Sequence, residues 1–113
     1  MDTSLASKKC APCKKKDLRL NEAQIQKLFK QLGGKWSIVN KNQLENTYTF
    51  SDFAKALAFT NKVGAIAEKE GHHPDIYLSW GKVKITLSTH DIEGLSENDF
   101  ILAAKCDLHT PLS

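Results

Sequence analysis

Ile76-Tyr77-Leu78-Ser79-Trp80-Gly81-Lys82-Val83-Lys84-Ile85-Thr86-Leu87-Ser88 is the stretch on which the fold turns. Val83, Ile85 and Leu87 alternate with Lys84, Thr86 and Ser88, the period of a strand with one dry face and one wet face. Ile76 to Trp80 reads as its partner strand. Gly81-Lys82 between them suits a two-residue type II′ turn, with glycine at the first central position. An antiparallel hairpin is therefore expected here.

A second hairpin is expected upstream. Lys35 to Asn40 reads as a short strand with Trp36 and Ile38 on one face. Lys41-Asn42-Gln43 is the turn, and Leu44 to Phe50 returns with Leu44, Tyr48 and Phe50 alternating with polar residues. Helices flank the hairpins. Asn21 is placed as an N-cap with Gln24 as its capping-box partner, and Leu20 and Ile25 are spaced as a hydrophobic staple. Ile25, Leu28, Phe29 and Leu32 form one apolar stripe, closed by Gly33-Gly34. Ser51 is expected to cap a longer helix that ends at Gly71. Its inner face would be Phe53, Ala56, Leu57, Thr60, Val63, Gly64 and Ala67. Ser96 is expected to cap a last helix that packs through Phe100, Ile101 and Ala104. The fold class is α+β: a four-stranded antiparallel sheet with three helices packed on one face, in the order α-β-β-α-β-β-α. The uncovered face and the bare edge strands point to self-association.

A chain of 113 residues with 41% apolar and 26% charged residues suffices for one domain with a modest core. Residues 1–17 read as a flexible basic leader and 18–113 as the domain. Lys8, Lys9, Lys14, Lys15 and Lys16 face only Asp2 in the first sixteen residues, so the rest of the chain is slightly negative despite a net charge of +3. Nucleic-acid binding needs basic charge on the folded surface, so it is set aside. No apolar run approaches the roughly 20 residues that span a bilayer, and no secretory signal opens the chain. The cytoplasm is the expected compartment, in keeping with three cysteines, an odd number. Cys10-Ala11-Pro12-Cys13 is a CxxC pair with no second pair to complete a zinc site and no strand before it to make a redox motif. Cys106 reads as a packed thiol.

Three of the four histidines stand at two element junctions. His72 and His73 follow the second helix, and His90 follows the fourth strand. Both junctions can lie at one end of the sheet, and Glu68, Glu70, Asp75, Asp91 and Asp99 are near enough in sequence to orient imidazoles. Acid–base chemistry is the first reading. A three-histidine zinc site is the rival, and it ranks lower because adjacent residues such as His72 and His73 point apart.

The run Glu68-x3-His72-His73-Pro74-x5-Trp80-x9-His90-x8-Asp99 resembles the signature of the pterin-4a-carbinolamine dehydratases. Trp36, the Tyr-Thr-Phe run ending at Phe50, Ala-Phe-Thr-Asn around Phe59, and Gly94-Leu95 resemble the family too, so the likeness spans roughly residues 20–107. It implies dehydration of a 4a-hydroxytetrahydropterin to quinonoid dihydropterin, in support of tetrahydrobiopterin recycling for aromatic amino-acid hydroxylases. The pterin is the substrate, and no cofactor or metal is implied. His72, His73 and His90 would be the catalytic set, with His72 and His90 moving protons and His73 holding the pterin. Pro74, Thr89, Asp91 and Ile92 would line the substrate beside them. Glu68, Asp99 and Trp80 would stand behind. Asp99 is equally open to a role as the third-residue partner of the Ser96 cap, and Trp80 to simple packing of the hairpin. The resemblance further implies a homodimer or homotetramer. It leaves a dimerisation-cofactor or transcriptional-coactivator role as the alternative function.

Overall fold

A computed structural model describes Cys10 and residues 19–40, 42–89 and 94–108. The elements are α1 (Glu22–Gln31), β1 (Ser37–Val39), β2 (Gln43–Thr49), α2 (Phe53–Glu70), β3 (Asp75–Ser79), β4 (Lys82–Leu87) and α3 (Glu97–Asp107). All strand pairs are antiparallel, in the spatial order β1-β2-β4-β3. The expected order and class hold, and so does the division of the sheet into a dry and a wet face.

Register fixes which side chains share the dry face. Leu44 lies opposite Leu87 and Tyr48 opposite Val83 across β2 and β4, while Ile76 and Leu78 face Ile85 and Val83 across β3 and β4. Val83, Ile85 and Leu87 are all fully buried. Each contributes about 1.5–3 kcal/mol of apolar burial, so a one-residue slip of β4 would be prohibitive. On the other face Thr47, Lys84 and Tyr77 form one row. Lys84 Nζ lies 6.0 Å from the Tyr77 ring centroid and 4.0 Å from Glu45 Oε2. Helices α2 and α3 pack on the dry face, and α1 packs on α3.

The first helix follows its sequence signals closely. Asn21 Oδ1 accepts from the Gln24 N–H at 2.8 Å, and Gln24 Oε1 accepts from the Asn21 N–H at 2.9 Å. Leu20 and Ile25 both lie against the core. Three local expectations are corrected. The α2 cap is Asp52, whose carboxylate accepts from the Lys55 N–H at 2.9 Å, and not Ser51. The β1–β2 connection begins at Asn40, at φ 53 in the left-handed region that asparagine tolerates, so Gln43 belongs to β2. The β3–β4 loop is Trp80-Gly81, because Ser79 pairs with Lys82. Gly81 does not occupy the positive φ that a type II′ turn asks of it. Glycine is required there by crowding: a Cβ would sit 2.9 Å from the Phe50 carbonyl oxygen, and the Phe50 N–H donates to the Gly81 carbonyl.

The inner face of α2 is also corrected. Ala56, Phe59, Val63 and Ala67 are buried, whereas Phe53, Leu57 and Gly64 face outward. Phe59 decides this rotation, since its ring lies 4.6 Å from that of Tyr48 and 5.3 Å from that of Phe50. Among the described residues no helix is long and apolar enough to cross a membrane.

Cys106, on α3, is fully buried. Burial, aided by the Asp107 carboxylate, pushes its thiol up to about 12 from an ordinary value of 9.0. The unfolded chain releases this proton first, so the stabilisation is complete below about pH 9 and is lost as pH rises towards about 12. Thermal melts through that window should show Cys106→Ala losing melting temperature less steeply than the parent. Parallel curves would remove Cys106 from the account.

Candidate active site

The C-terminus of α2 delivers the first histidine. Gly71 takes the left-handed conformation, φ 68, that ends a helix without a Cβ penalty. The His72 N–H then donates to the Ala67 carbonyl at 3.2 Å, so the backbone is pinned where the chain leaves α2. Pro74 carries it on to β3. The His72 ring turns inward with 12% of its side chain exposed, and its Nε2 lies 2.6 Å from Asp99 Oδ1.

Asp99 is fully buried in the first turn of α3. Its other oxygen, Oδ2, accepts from the Thr89 hydroxyl at 2.7 Å and from the Ser96 backbone N–H at 3.0 Å. The Thr89 and Ser96 hydroxyls are themselves 2.9 Å apart. The end of α2, the end of β4 and the start of α3 thus meet on one carboxylate, in a place where helix α3 favours negative charge. The two roles open to Asp99 are one arrangement: the carboxylate completes the cap and holds His72 at once.

His73 points the other way. Its Nε2 is 2.9 Å from Glu68 Oε1, with the two side chains 64% and 83% exposed. So open a pair contributes little to stability, which leaves the ring free to reorient. His90, Asp91 and Ile92 lie outside the described residues. The residues on either side of that stretch do not: Thr89 and Gly94 form an isolated antiparallel bridge, with the Thr89 N–H donating to the Gly94 carbonyl at 2.9 Å. Thr89, expected to line the substrate, is 5% exposed and turns its hydroxyl to Asp99. Trp80 is not brought to His72 or His73. It is 68% exposed at the far end of β3, about 17 Å of strand away from His73.

Two contributors were missed by sequence reasoning. Ser96 was expected only as a cap, and its hydroxyl also meets Thr89. Arg19 lies over Gly94, where a Cβ would fall 2.5 Å from its Cδ, while the Leu20 N–H donates to the Leu95 carbonyl at 2.8 Å. No periodic signal marks either contact. At the same junction the Cys10 N–H donates to Glu70 Oε1 at 2.8 Å, and Glu70 Oε2 lies 3.8 Å from Lys105 Nζ. Burial and the Glu70 carboxylate push the Cys10 thiol up to about 12, the opposite of what a reactive CxxC needs. Cys13 lies outside the described residues.

Residues 18–109 match the family model described as pterin 4 alpha carbinolamine dehydratase. The chain belongs to this family. A family relative from Alkaliphilus metalliredigens, named as a pterin-4-alpha-carbinolamine dehydratase, is 52% identical over 104 residues, covering 92% of this chain and 94% of its own. Pterin-4-alpha-carbinolamine dehydratase 2, mitochondrial, from Arabidopsis thaliana is 48% identical over 106 residues, covering 89% of this chain and 56% of the plant protein. The crystal structure of a transcriptional coactivator/pterin dehydratase from Brucella melitensis superposes with a TM-score of 0.75 at 30% identity, covering 80% of this chain and 96% of that one. A pterin dehydratase-like protein identified as a RuBisCO assembly factor in the alpha-carboxysome superposes at 0.59 and 25% identity, over 71% of this chain and 96% of that one. As a member of the pterin 4 alpha carbinolamine dehydratase family, the chain is an enzyme of the hydro-lyase class.

Proposed function

We propose that the protein dehydrates 4a-hydroxytetrahydropterin to quinonoid dihydropterin and so returns an oxidised pterin to the pool that serves aromatic amino-acid hydroxylases. The observation that carries this reading is the His72–Asp99 contact at the end of α2. In the reaction the C4a–O bond breaks, the departing hydroxyl takes a proton and leaves as water, and N5 gives up its proton as the N5–C4a double bond forms. No electrons are exchanged with a second molecule, so the pterin itself is the only organic partner required. The step needs one proton donor and one acceptor near neutrality. Imidazole serves as either, for about 10²–10⁴-fold in rate.

His72 and His90 are assigned to proton transfer. His73, exposed and loosely paired, is assigned to holding the pterin, with Pro74 and the stretch through Asp91 and Ile92 beside it. His72 suits its role because Asp99 fixes one ring nitrogen and leaves the other for the substrate. The test is stopped-flow dehydration of 4a-hydroxytetrahydropterin against the spontaneous rate. Acceleration that disappears in a His72→Ala/His90→Ala double variant supports the proposal, and undiminished acceleration in that variant overturns it.

Self-association belongs to the same reading. The edge strand β3 exposes Tyr77 (62%), and the outer side of α2 exposes Phe53 (44%) and Leu57 (39%). We assign a homodimer to the sheet edge, with helix packing as the route to a tetramer. Light scattering should give at least twice the 12.6 kDa chain mass. The outer side of α2 also supports a second function, protein binding of the coactivator kind named for the Brucella structure. A stoichiometric protein partner with no dehydratase activity would favour it.

A further inference from the structure

We propose that Thr89 and Ser96 are positioning residues that hold the Asp99 carboxylate where it fixes the tautomer of His72, leaving Nδ1 as the nitrogen that meets substrate. Two donors, the Thr89 hydroxyl and the Ser96 backbone N–H, and one imidazole nitrogen, His72 Nε2, converge on the buried Asp99, which as a carboxylate accepts only. Thr89 has one hydroxyl hydrogen, and it points to Oδ2. The 2.9 Å contact between the Thr89 and Ser96 hydroxyls must then be donated by Ser96. Hydrogens therefore run one way, from Ser96 to Thr89 to Asp99. Oδ2 already receives Thr89 and the Ser96 backbone, so Oδ1 is left to receive the hydrogen on His72 Nε2. A neutral ring protonated at Nε2 has its lone pair at Nδ1. Among the described residues Nδ1 makes no hydrogen bond, and the ring reaches the surface.

The catalytic consequence rests on the dehydratase reading, but the tautomer does not. Thr89 is buried, so its hydroxyl is committed to the groups inside, Asp99 and Ser96. Without that hydroxyl, Oδ2 keeps only a backbone donor, the carboxylate turns more freely, and the ring loses its single orientation.

Nitrogen-15 spectra of the imidazoles, recorded on the full chain without substrate, test this. The parent is expected to show His72 with Nε2 protonated and Nδ1 bare. Thr89→Val should give a mixture of tautomers and a kcat about tenfold lower at unchanged KM, the scale of one hydrogen bond to a charged group. Thr89→Ser should restore both the spectrum and the rate. A parent spectrum with Nδ1 protonated overturns the proposal, as does a Thr89→Val spectrum identical to the parent's. The parent spectrum alone decides the matter if the valine variant does not fold. An Nε2-protonated His72 in a protein without dehydratase activity would sink the dehydratase reading and leave this inference standing.

Discussion

Asparagine at position 99 is expected to lower kcat by about 10²–10⁴-fold while leaving the protein folded. The amide offers one acceptor and one donor where the carboxylate offers two acceptors. The Ser96 backbone N–H cannot reverse, so the amide oxygen must occupy the Oδ2 position and keep both the cap and the Thr89 hydrogen bond. The NH2 group is then left facing His72 Nε2, which must become an acceptor. That forces the proton to Nδ1, the atom assigned to the substrate. Because the fault lies in proton transfer, KM should change little beside kcat. Asp99→Ala differs in kind: it takes the acceptor from the Ser96 backbone N–H in a buried site and leaves the Thr89 hydroxyl only Ser96, so it should destabilise by about 2–4 kcal/mol as well. Steady-state kinetics with a melt on each variant separates the two effects. An Asp99→Asn protein with parental kcat would end the role given to Asp99.

The largest effect on stability is expected at the other end of α3. Asp107 Oδ2 accepts from Trp36 Nε1 at 3.0 Å, and Oδ1 accepts from the Tyr48 hydroxyl at 2.7 Å. Trp36 and Tyr48 are 2% and 7% exposed, and their rings meet edge to face. A carboxylate at a helix C-terminus is badly placed with respect to the helix dipole, and these two donors offset that. Asp107→Ala leaves both donors without it in a dry site, at about 1–3 kcal/mol each. The melting temperature should fall by roughly 10–20 °C. Tyr48→Phe alone should cost about 1 kcal/mol, and next to nothing further in the Asp107→Ala background. Equal costs in the two backgrounds would show that the Tyr48–Asp107 bond contributes nothing. Per-molecule turnover should survive below the lowered melting point, because Trp36, Tyr48 and the Tyr48–Asp107 bond lie at the other end of α3 from Asp99 and His72.

Local signals carried much of the architecture. Asn21 with Gln24, the glycine pair after Leu32, and the alternation of Val83, Ile85 and Leu87 depend on neighbours a few residues away. Each was legible for that reason. The face of α2 was not, because apolar residues occupy two sides of that helix. Only the rings of Tyr48 and Phe50 choose Phe59 over Phe53 and Leu57. The Trp80-Gly81 loop is not legible locally, because a glycine in a hairpin suggests a positive φ, whereas the constraint comes from the Phe50 backbone far away in sequence. For the site, the histidine junctions and Asp99 could be picked out by type and spacing. Which histidine nitrogen meets Asp99, and that Thr89 turns its hydroxyl inward, depends on packing among α2, β4 and α3.

Asp99 serves α3 and His72 with the same two oxygens, and this has a bearing on how such a protein would drift. Selection for folding alone is enough to retain the aspartate, through its hold on Ser96 and Thr89. Folding asks less of His72, which supplies one hydrogen bond to Oδ1 where Asp99 takes part in three. A lineage released from dehydration would therefore shed the imidazole first and keep the acid, so the histidine is the better witness to a living activity.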